Sequence, residues 1–298
     1  MRFLFVDRIV HSVPGELIRG IKHITRDDSY LTYDEQQRTC FIPSLIGETL
    51  GQLAAWNVMQ HNEFTLRPVA GVVANAYLHR PAYLGETLLL ESFIDAIDDK
   101  AVQYHSVARV GKELVFSIDG ALGPLLPMGD FIAPETIRQQ FAQIYRPVDL
   151  PLDHWANDAL DTMNSSLLDV QGPTIAPMMF DRIIASMPGS SLIAEKKISS
   201  SAAYLPDHFP NKPVLPMTVL LECKLHLART FLSEADFATD YQVSEFRKIK
   251  MNDFVLPGDV IRCYVKVKQH STEELILTYR SEVNGKRVCV LDVVLKGK

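Results

Sequence analysis

The chain lacks the motifs that mark several common classes of enzyme. No GxSxG elbow, no GxGxxG stretch and no phosphate-binding loop occurs in its 298 residues. Neither a serine hydrolase nor a nucleotide-dependent enzyme is therefore indicated. Cysteine is scarce as well, and the four cysteines stand far apart with no CxxC pair: Cys40, Cys223, Cys263 and Cys289. This spacing argues against a zinc site and a disulfide framework, so we expect no cofactor, no metal and a reducing, cytoplasmic compartment.

Long apolar runs and an excess of positive charge are also missing. No stretch approaches the ~20 apolar residues that cross a bilayer, and charged residues recur within the first few positions. We therefore expect neither a membrane span nor a signal peptide. The formal net charge is −6, which would repel a nucleic acid backbone, so nucleic acid is not an expected partner.

What the chain does contain is an internal repeat with an offset of 174 residues. Residues 5–31 align without a gap with residues 179–205, and 10 of these 27 positions are identical. The identical pairs are Asp7/Asp181, Arg8/Arg182, Ile9/Ile183, Ser12/Ser186, Pro14/Pro188, Gly15/Gly189, Lys22/Lys196, Ile24/Ile198, Tyr30/Tyr204 and Leu31/Leu205. The same offset places Glu48 on Glu222. A repeat of this length predicts two copies of one supersecondary plan.

Each copy contains a hairpin with a Pro-Gly turn, one apolar helix and a series of long strands. The helices are predicted at Pro43 to Gln60 and at Pro216 to Leu232, because proline suits the first turn of a helix. Runs rich in β-branched and aromatic residues predict the strands: Glu86 to Ile97, Val102 to Val110, Val260 to Val267, Leu275 to Val283 and Arg287 to Leu295. The fold class is therefore α+β, with a long central helix wrapped by an antiparallel sheet in each half.

The repeat also predicts the domain boundaries. Residues 1–122 are expected to form the first domain and residues 177–298 the second. Between them, residues 123–176 are richer in proline and polar residues, and we interpret them as an ordered linker with a helix at Pro134 to Tyr145.

A histidine stands in a proline-rich loop directly before the second helix. The segment reads His208-Phe209-Pro210-Asn211-Lys212-Pro213-Val214-Leu215-Pro216-Met217, and Glu222 follows within the helix. Alone, His208 would more often be an exposed or capping residue. The segment resembles, however, the bacterial 3-hydroxyacyl-acyl carrier protein dehydratases, whose motif is H-F-P-G-x-P-V-M-P-G-x-x-x-x-E. Asn211 and Met217 depart from the motif, because the family has glycine at both positions.

Further segments extend the resemblance over most of both halves. Phe180-Asp181-Arg182 is similar to the family's L-V-D-R, Leu256-Pro257-Gly258-Asp259 to its V-x-P-G-D, and Leu78 to Glu86 to its F-R-R-P-V-x-P-G-D. The resemblance implies a hot-dog fold, in which one subunit supplies the histidine of a site and the other supplies the acid. A fused pair is then a tandem, or double, hot-dog with two pseudo-equivalent sites.

The resemblance implies one complete site, with His208 of the second half as base and Glu48 of the first half as acid. Gln52 matches a glutamine that the family has beside the acid, and we expect it to bind substrate. The backbone N–H of Met217, at the start of a helix, is expected to bind the thioester carbonyl.

The other site is expected to be incomplete. The repeat places Asp34 where His208 has its counterpart, so that site would pair Glu222 with Asp34 and lack a base. Pro43 occupies the counterpart position of Met217 and has no N–H to offer. We interpret Glu222 and Asp34 as a relic or second site.

The expected reaction is dehydration of a (3R)-3-hydroxyacyl thioester to a trans-2-enoyl thioester, in fatty-acid-like or polyketide-like biosynthesis. A neutral histidine with a pKa near ~6.5 can remove the C2 proton at neutral pH. A glutamic acid in an apolar cleft has a raised pKa, so Glu48 is expected to keep a proton and donate it to the leaving hydroxyl.

The first helix carries small residues on one face. Gly47 and Gly51 are four apart, beside Ala54 and Ala55, and each glycine inside a helix costs ~1 kcal/mol relative to alanine. A close neighbour of this face is therefore expected. The candidates are the wrapping sheet, which we favour, and a bound acyl chain.

Two other functions stay open on the sequence alone. A catalytically silent scaffold that holds an acyl carrier domain is suggested by the departures from the motif and by the incomplete second site. An acyl thioesterase is the other, because hot-dog domains also host thioesterases.

The acyl group could be attached to an acyl carrier protein or to coenzyme A. An acidic carrier would need a basic patch such as Arg247, Lys248 and Lys250, which could equally be a solvated surface. Exposed sheet edges leave a homo-oligomer of double hot-dogs open.

Overall fold

Both halves of the chain build a long helix and an antiparallel sheet. The computed structural model describes residues 2–147, 178–235, 237 and 239–298. The first half contains β1 (Arg8–Val13), β2 (Leu17–His23), β3 (Leu31–Tyr33), β4 (Thr39–Phe41), α1 (Pro43–His61), β5 (Leu66–Pro68), β6 (Val72–Leu78), β7 (Thr87–Ile97), β8 (Ala101–Val110) and β9 (Glu113–Pro127), followed by a 3₁₀ turn (Met128–Asp130) and α2 (Pro134–Ile144). The second half contains β10 (Arg182–Met187), β11 (Ser191–Lys197), α3 (Met217–Glu234), β12 (Tyr241–Met251), β13 (Val260–His270), β14 (Glu274–Val283) and β15 (Lys286–Gly297).

The long strands of both halves join into one antiparallel sheet with a mirrored order. That order is β1-β2-β7-β8-β9-β6-β12-β15-β14-β13-β11-β10, and β5 pairs with β9 beside this path. At the junction β6 and β12 run antiparallel, pairing Tyr77 with Glu245 and Val72 with Lys250. From the junction outward, each half repeats the same strand order, so the sequence repeat becomes a twofold repeat in space. This is the tandem hot-dog that the resemblance implies.

The central helix α1 is buried along most of its length. It begins at Pro43, whose missing N–H would have no partner within the helix, and the backbone N–H of Asn62 closes its last turn on the Val58 carbonyl. Side chains with no exposed surface lie on several sides of it, including Leu50 and Leu53. A helix that is apolar around most of its circumference must be covered on several sides, and α1 contacts both α3 and the sheet. Replacing Leu50 with alanine is expected to cost roughly 2–5 kcal/mol.

The predicted helices and strands are present, with small shifts at their ends. α1 ends at His61 instead of Gln60, and α3 begins at Met217, with Pro216 as its N-cap. The first hairpin of each half turns at the predicted Pro-Gly pair. The main local difference between the halves precedes the helix, where the short β3–β4 hairpin of the first half stands in place of the proline-rich histidine loop.

The region between the two halves begins with ordered elements that contact the first sheet. β9 continues past residue 122 to Pro127, and β5 pairs with this extension. α2 covers the position of the predicted helix. The rest of the predicted linker, residues 148–176, lies outside the described residues, and the domain boundaries stay a prediction.

The helices and the cysteines were both the subject of predictions from the sequence, namely that no helix spans a membrane and that no disulfide forms. Among the described residues, no helix combines the length and the apolar character that crossing a membrane requires. The four cysteines are free thiols and all of them are buried.

Candidate active site

A cavity of about 330 Å³ lies between α1 and the sheet, at the junction of the two halves. Its walls are largely apolar and come from α1, β6, β8, β9 and β12: Ala54, Ala55, Val58, Val73, Ala76, Val102, Phe116, Ile118, Leu122, Phe246 and Ile249. His208, Glu48 and Gln52 line the same cavity. The volume falls in the range of roughly 300–1,000 Å³ that small-molecule sites occupy. The structure thus brings the predicted base and acid to one apolar space.

The small residues of α1 make room for this cavity. A Cβ atom added to Gly51 would meet only the Tyr104 hydroxyl, at 3.8 Å, whereas one added to Gly47 would lie 3.4 Å from the Phe116 ring. The wrapping sheet therefore explains Gly47, but Gly51 faces open space. By the repeat, their counterparts in α3 are Leu221 and Leu225, which are 5% and 1% exposed. Leu221 also lines the cavity, whereas Leu225 packs in the core, so beside α3 a leucine side chain takes the place of the open space at Gly51.

His208 presents one ring nitrogen as a free acceptor. Its Nδ1 lies 3.2 Å from the carbonyl oxygen of Val214. A carbonyl can only accept, so Nδ1 carries the proton and Nε2 keeps its lone pair in the neutral ring. Burial lowers the pKa of His208, and the nearby charge of Glu48 partly opposes this shift. The neutral ring is therefore favoured at neutral pH.

The loop that carries His208 is held by the start of the predicted linker. The backbone N–H of Asn211 donates to the Phe131 carbonyl at 2.9 Å, and its side-chain amide donates to the Gly129 carbonyl at 3.3 Å. The Phe131 ring packs edge-on against Phe209, with 5.0 Å between centroids. The departure from the family motif at Asn211 thus comes with a contact that glycine could not make.

Glu48 is held by groups from both halves. Thr218, the second residue of α3, donates its hydroxyl to Glu48 Oε2 at 2.7 Å, and Gln52 Nε2 donates to Oε1 at 3.1 Å. Thr218 is only 4% exposed, so this hydroxyl bond is shielded from water. The carboxyl group is thereby fixed in one orientation beside the cavity.

Gln52 uses its amide to connect Glu48 with the N-terminal segment. Its oxygen accepts from the Phe5 N–H at 2.9 Å, and its nitrogen donates to the Phe3 carbonyl at 3.1 Å as well as to Glu48. Both amide N–H donors are therefore occupied. These contacts hold the Gln52 side chain beside Glu48 at the cavity, and its expected role in substrate binding stays a prediction.

The N-termini of the two helices differ as the sequence predicted. Met217 and Thr218 open α3, and the first N–H groups of a helix have no acceptor within it. Met217 lines the cavity, so its N–H is a candidate donor for an oxygen of a bound ligand. α1 opens instead with Pro43, which has no N–H.

Arg67 on β5 adds a buried cation to the site. Its guanidinium lies over the Phe209 ring, 4.1 Å from the centroid, and its Nε is buried without a hydrogen-bond partner among the described residues. Burial lowers the pKa of Arg67 to about 10, opposed by the charge of Glu48. The group stays charged at neutral pH and acts on His208, whose pKa it helps to lower.

The acid of the second half is deeply buried and weakly held. Glu222 is 2% exposed, and the Ser44 N–H lies 3.4 Å from its Oε2, a long hydrogen bond. Its Oε1 lies 3.6 Å from Nε2 of His226 in the next turn of α3. Burial raises the pKa of Glu222 and lowers that of His226 to about 4. These directions favour the neutral form of both groups.

Asp34 does not stand in for the missing histidine. Its carboxylate lies in the turn between β3 and β4, where it accepts from the backbone N–H groups of Gln36 and Arg38 and from the Tyr83 hydroxyl. Its pKa is lowered by the hydrogen bonds from Arg38 and Tyr83, which outweigh the opposing effect of burial. Neither Asp34 nor Glu222 lines the cavity. Asp34 is part of a turn, and the interpretation of Asp34 and Glu222 as a relic or second site stays a prediction.

Comparison with known proteins identifies a family model and relatives that each match part of the chain. The ApeI dehydratase (ApeI-like) family model matches residues 185–290. The 3-hydroxyacyl-[acyl-carrier-protein] dehydratase FabZ of Wolbachia pipientis subsp. Culex pipiens is 30% identical over 114 residues, which are 38% of this chain and 80% of that protein. FabZ of Lactiplantibacillus plantarum is 26% identical over 125 residues, 41% of this chain and 84% of the relative.

Solved structures match the chain over nearly its whole length. The dehydratase domain of PpsC from Mycobacterium tuberculosis, in complex with C12:1-CoA, covers 98% of this chain and 98% of its own, with a TM-score of 0.53 and 10% identity. An acyl-ACP thioesterase from Bacteroides thetaiotaomicron covers 93% of this chain and 98% of its own, with a TM-score of 0.51 and 11% identity. At such low identity these matches show the fold alone, and that fold is a tandem hot-dog.

Proposed function

Because the chain belongs to the 3-hydroxyacyl-[acyl-carrier-protein] dehydratase family, we propose that it converts a (3R)-3-hydroxyacyl thioester to a trans-2-enoyl thioester and water at one composite site. The observation that carries this proposal is the convergence of His208 and Glu48, from opposite halves, on one apolar cavity. The arrangement offers a proton acceptor and a carboxyl group to the same bound chain. Dehydration needs that combination, since one proton leaves C2 and another must accompany the C3 hydroxyl.

His208 acts as the base in this proposal. Nε2 carries a lone pair, because Nδ1 is committed to the Val214 carbonyl. The burial that lowers the pKa of the ring, aided by Arg67, keeps it neutral and ready to accept the C2 proton at neutral pH. As electron density moves from the C2–H bond towards the thioester carbonyl, the Met217 N–H at the start of α3 can stabilise the developing negative charge on oxygen.

Glu48 acts as the acid. Thr218 and Gln52 fix the orientation of its carboxyl group, and the surrounding walls are apolar. An acyl chain in the cavity excludes water from the carboxyl group and leaves it facing the C3 hydroxyl. The proton passes to the C3 hydroxyl as the C3–O bond breaks, so the leaving group departs as water. Transfer of the C2 proton from His208 to Glu48, directly or through solvent, then restores both groups.

The acyl group is proposed to lie along the glycine face of α1, with the thioester near Met217. Whether acyl carrier protein or coenzyme A delivers it depends on the outer surface. In the predicted basic patch, Arg247 pairs with Glu245 at 2.9 Å and with Glu274 at 3.5 Å. The side chains of Lys248 and Lys250 are exposed. Two lysines therefore remain on that surface as candidates for contact with an acidic carrier.

The proposal is tested by product analysis with wild type, His208→Ala and the control His79→Ala, an exposed histidine outside the cavity. A 3-hydroxyacyl group is offered on coenzyme A and on acyl carrier protein, and both the 2-enoyl thioester and any free thiol are quantified. We expect enoyl product from wild type and His79→Ala, and a loss of roughly 10²–10⁴-fold for His208→Ala. Free thiol without enoyl product would indicate a thioesterase, and an inert wild type on both substrates would indicate a scaffold.

A further inference from the structure

The cavity wall contains one hydroxyl group that the dehydration chemistry does not use. Tyr104 on β8 lines the cavity, and its Oη lies 3.8 Å from the position of a Cβ on Gly51. Tyr104 is half-buried, and its hydroxyl lies at the cavity without a hydrogen-bond partner among the described residues. Burial raises the pKa of Tyr104 to about 12, so the group is neutral and can both donate and accept at neutral pH.

The repeat shows that this hydroxyl belongs to the half with the open cavity. The matching strand of the second half is β14, which begins at Glu274 as β8 begins at Ala101. The pairing of the strands sets the match. The repeat partners Ile18 and Leu192 lead across the sheet to Ser106 and Tyr279 respectively. Two residues earlier on each strand, the counterpart of Tyr104 is therefore Leu277, which has no exposed surface. The second half thus has an apolar residue, Leu277, at the position where the first half has the phenol of Tyr104 beside the open cavity. Packing alone gives no reason for the hydroxyl.

The position of Tyr104 relative to the acid defines where a ligand would meet it. Gly51 follows Glu48 by three residues on α1, a rise of about 4.5 Å along the helix axis. The proposed function places C3 of the substrate beside Glu48. The Tyr104 hydroxyl therefore faces the acyl chain a few carbons beyond C3, where the other neighbouring walls are apolar.

We propose that Tyr104 selects acyl chains that carry a second oxygen, as a hydroxyl or keto group, beyond C3. This inference rests on the proposed function and specifies its substrate class. An unsubstituted chain leaves the phenol unpaired inside the protein, whereas an oxygen at this depth restores the missing hydrogen bond. A site built to pair with a substrate oxygen discriminates against analogues that lack it.

The test compares unsubstituted 3-hydroxyoctanoyl thioesters with forms that carry an added hydroxyl or keto group at C5 or C7. Selectivity is the ratio of kcat/KM for the oxygenated chain to that for the plain chain. We expect wild type to favour an oxygenated chain and Tyr104→Phe to lower the ratio roughly three- to tenfold, the change that one net hydrogen bond produces. Tyr264→Phe, on β13 outside the cavity, is the matched control and keeps the wild-type ratio.

A binding measurement separates this inference from the proposed function. Thioether analogues of the same chains cannot be hydrolysed at the thioester position, and the ratio of their Kd values reports selectivity without turnover. If wild type fails to dehydrate any substrate but Tyr104→Phe still shifts the Kd ratio, the selectivity stands while the proposed reaction fails. An unchanged ratio in Tyr104→Phe overturns the inference. So does an equal loss of kcat/KM on plain and oxygenated chains, because it would place the phenol at the reacting atoms.

Discussion

The two composite sites of this fused pair start from the same plan and differ in almost every functional group. One combines His208, Glu48 and an open cavity beside Gly51. The other combines Asp34 in a turn, a buried Glu222 and the buried Leu225 that replaces Gly51. The counterpart hydroxyl groups of the two helices differ as well. The Thr218 hydroxyl donates to Glu48 Oε2 at 2.7 Å, whereas Ser44 Oγ has no hydrogen-bond partner among the described residues.

This difference shows what fusion makes possible. In a symmetric dimer every side chain occurs at both sites, so a leucine that improves packing at one would also fill the other. In the fused chain Gly51 and Leu225 vary independently. One half can keep the cavity and bear the entropic cost of glycine in its helix, while the other gains the packing energy of a filled core.

The largest expected effect comes from making the first half resemble the second. In Gly51→Leu the new side chain occupies the cavity beside Tyr104, as Leu225 occupies the space beside α3. We expect kcat/KM for an eight-carbon substrate to fall about 100-fold or more, the effect of losing roughly 3 kcal/mol of binding in the transition state. Steady-state kinetics on eight-carbon and four-carbon substrates measure it. An equal loss on both lengths would instead indicate damage to His208 or Glu48.

Removing the Thr218 hydroxyl, which connects α3 of the second half with Glu48 of the first, is expected to lower kcat/KM by a smaller factor. Thr218→Val removes the donor to Glu48 while preserving the side-chain shape, and we expect kcat/KM to fall about tenfold, consistent with one hydrogen bond to an ionisable group. Ser44→Ala is the matched change at the counterpart position of α1. Ser44 lines the cavity too, but its Oγ has no hydrogen-bond partner among the described residues, so we expect kcat/KM close to that of wild type. Similar losses in both variants would contradict the asymmetry.

The pH dependence of the reaction should report the lowered pKa of His208. The base must be neutral, so kcat/KM falls as the pH drops through that pKa. At pH 6 only roughly a quarter of an ordinary histidine is neutral, whereas burial shifts the His208 transition below its usual value of 6.5. We therefore expect more than the quarter of the maximal kcat/KM that an ordinary histidine would leave at pH 6. An acidic limb centred above 6.5 would contradict this expectation.

The smallest expected effect concerns stability at the second site. Burial raises the pKa of Glu222 in the folded protein above 4.5, so the folded state holds its proton more tightly than the unfolded state. The stabilisation from this proton is present below pH 4.5 and is lost as the pH rises through the folded pKa. Glu222→Gln removes the cost of ionisation, and we expect its Tm at pH 8 to exceed that of wild type by roughly 2 °C. Thermal unfolding at pH 8 and pH 4 measures the effect, and a lower Tm at pH 8 would show that the carboxylate stabilises the fold.

Much of this arrangement could be predicted from the sequence because the repeat and the histidine motif are local signals. The offset of 174 residues predicts the paired helices and indicates that His208 and Glu48 belong to opposite halves. The leucines opposite the glycines could have been found from the same alignment. Arg67 could not, because it lies on a three-residue strand beside the main sheet and enters the site only through tertiary packing. The bond from Thr218 to Glu48 likewise depends on how the two helices meet.

The central claim, one working site composed of both halves, is tested most directly by a paired substitution of the two glutamates. Turnover of a 3-hydroxyacyl thioester is measured for Glu48→Gln and Glu222→Gln, with thermal unfolding to confirm that both variants fold. The account predicts a loss of roughly 10²–10⁴-fold for Glu48→Gln, the contribution of a general acid, and turnover close to wild type for Glu222→Gln. A comparable loss in Glu222→Gln, or full activity in Glu48→Gln, would contradict it.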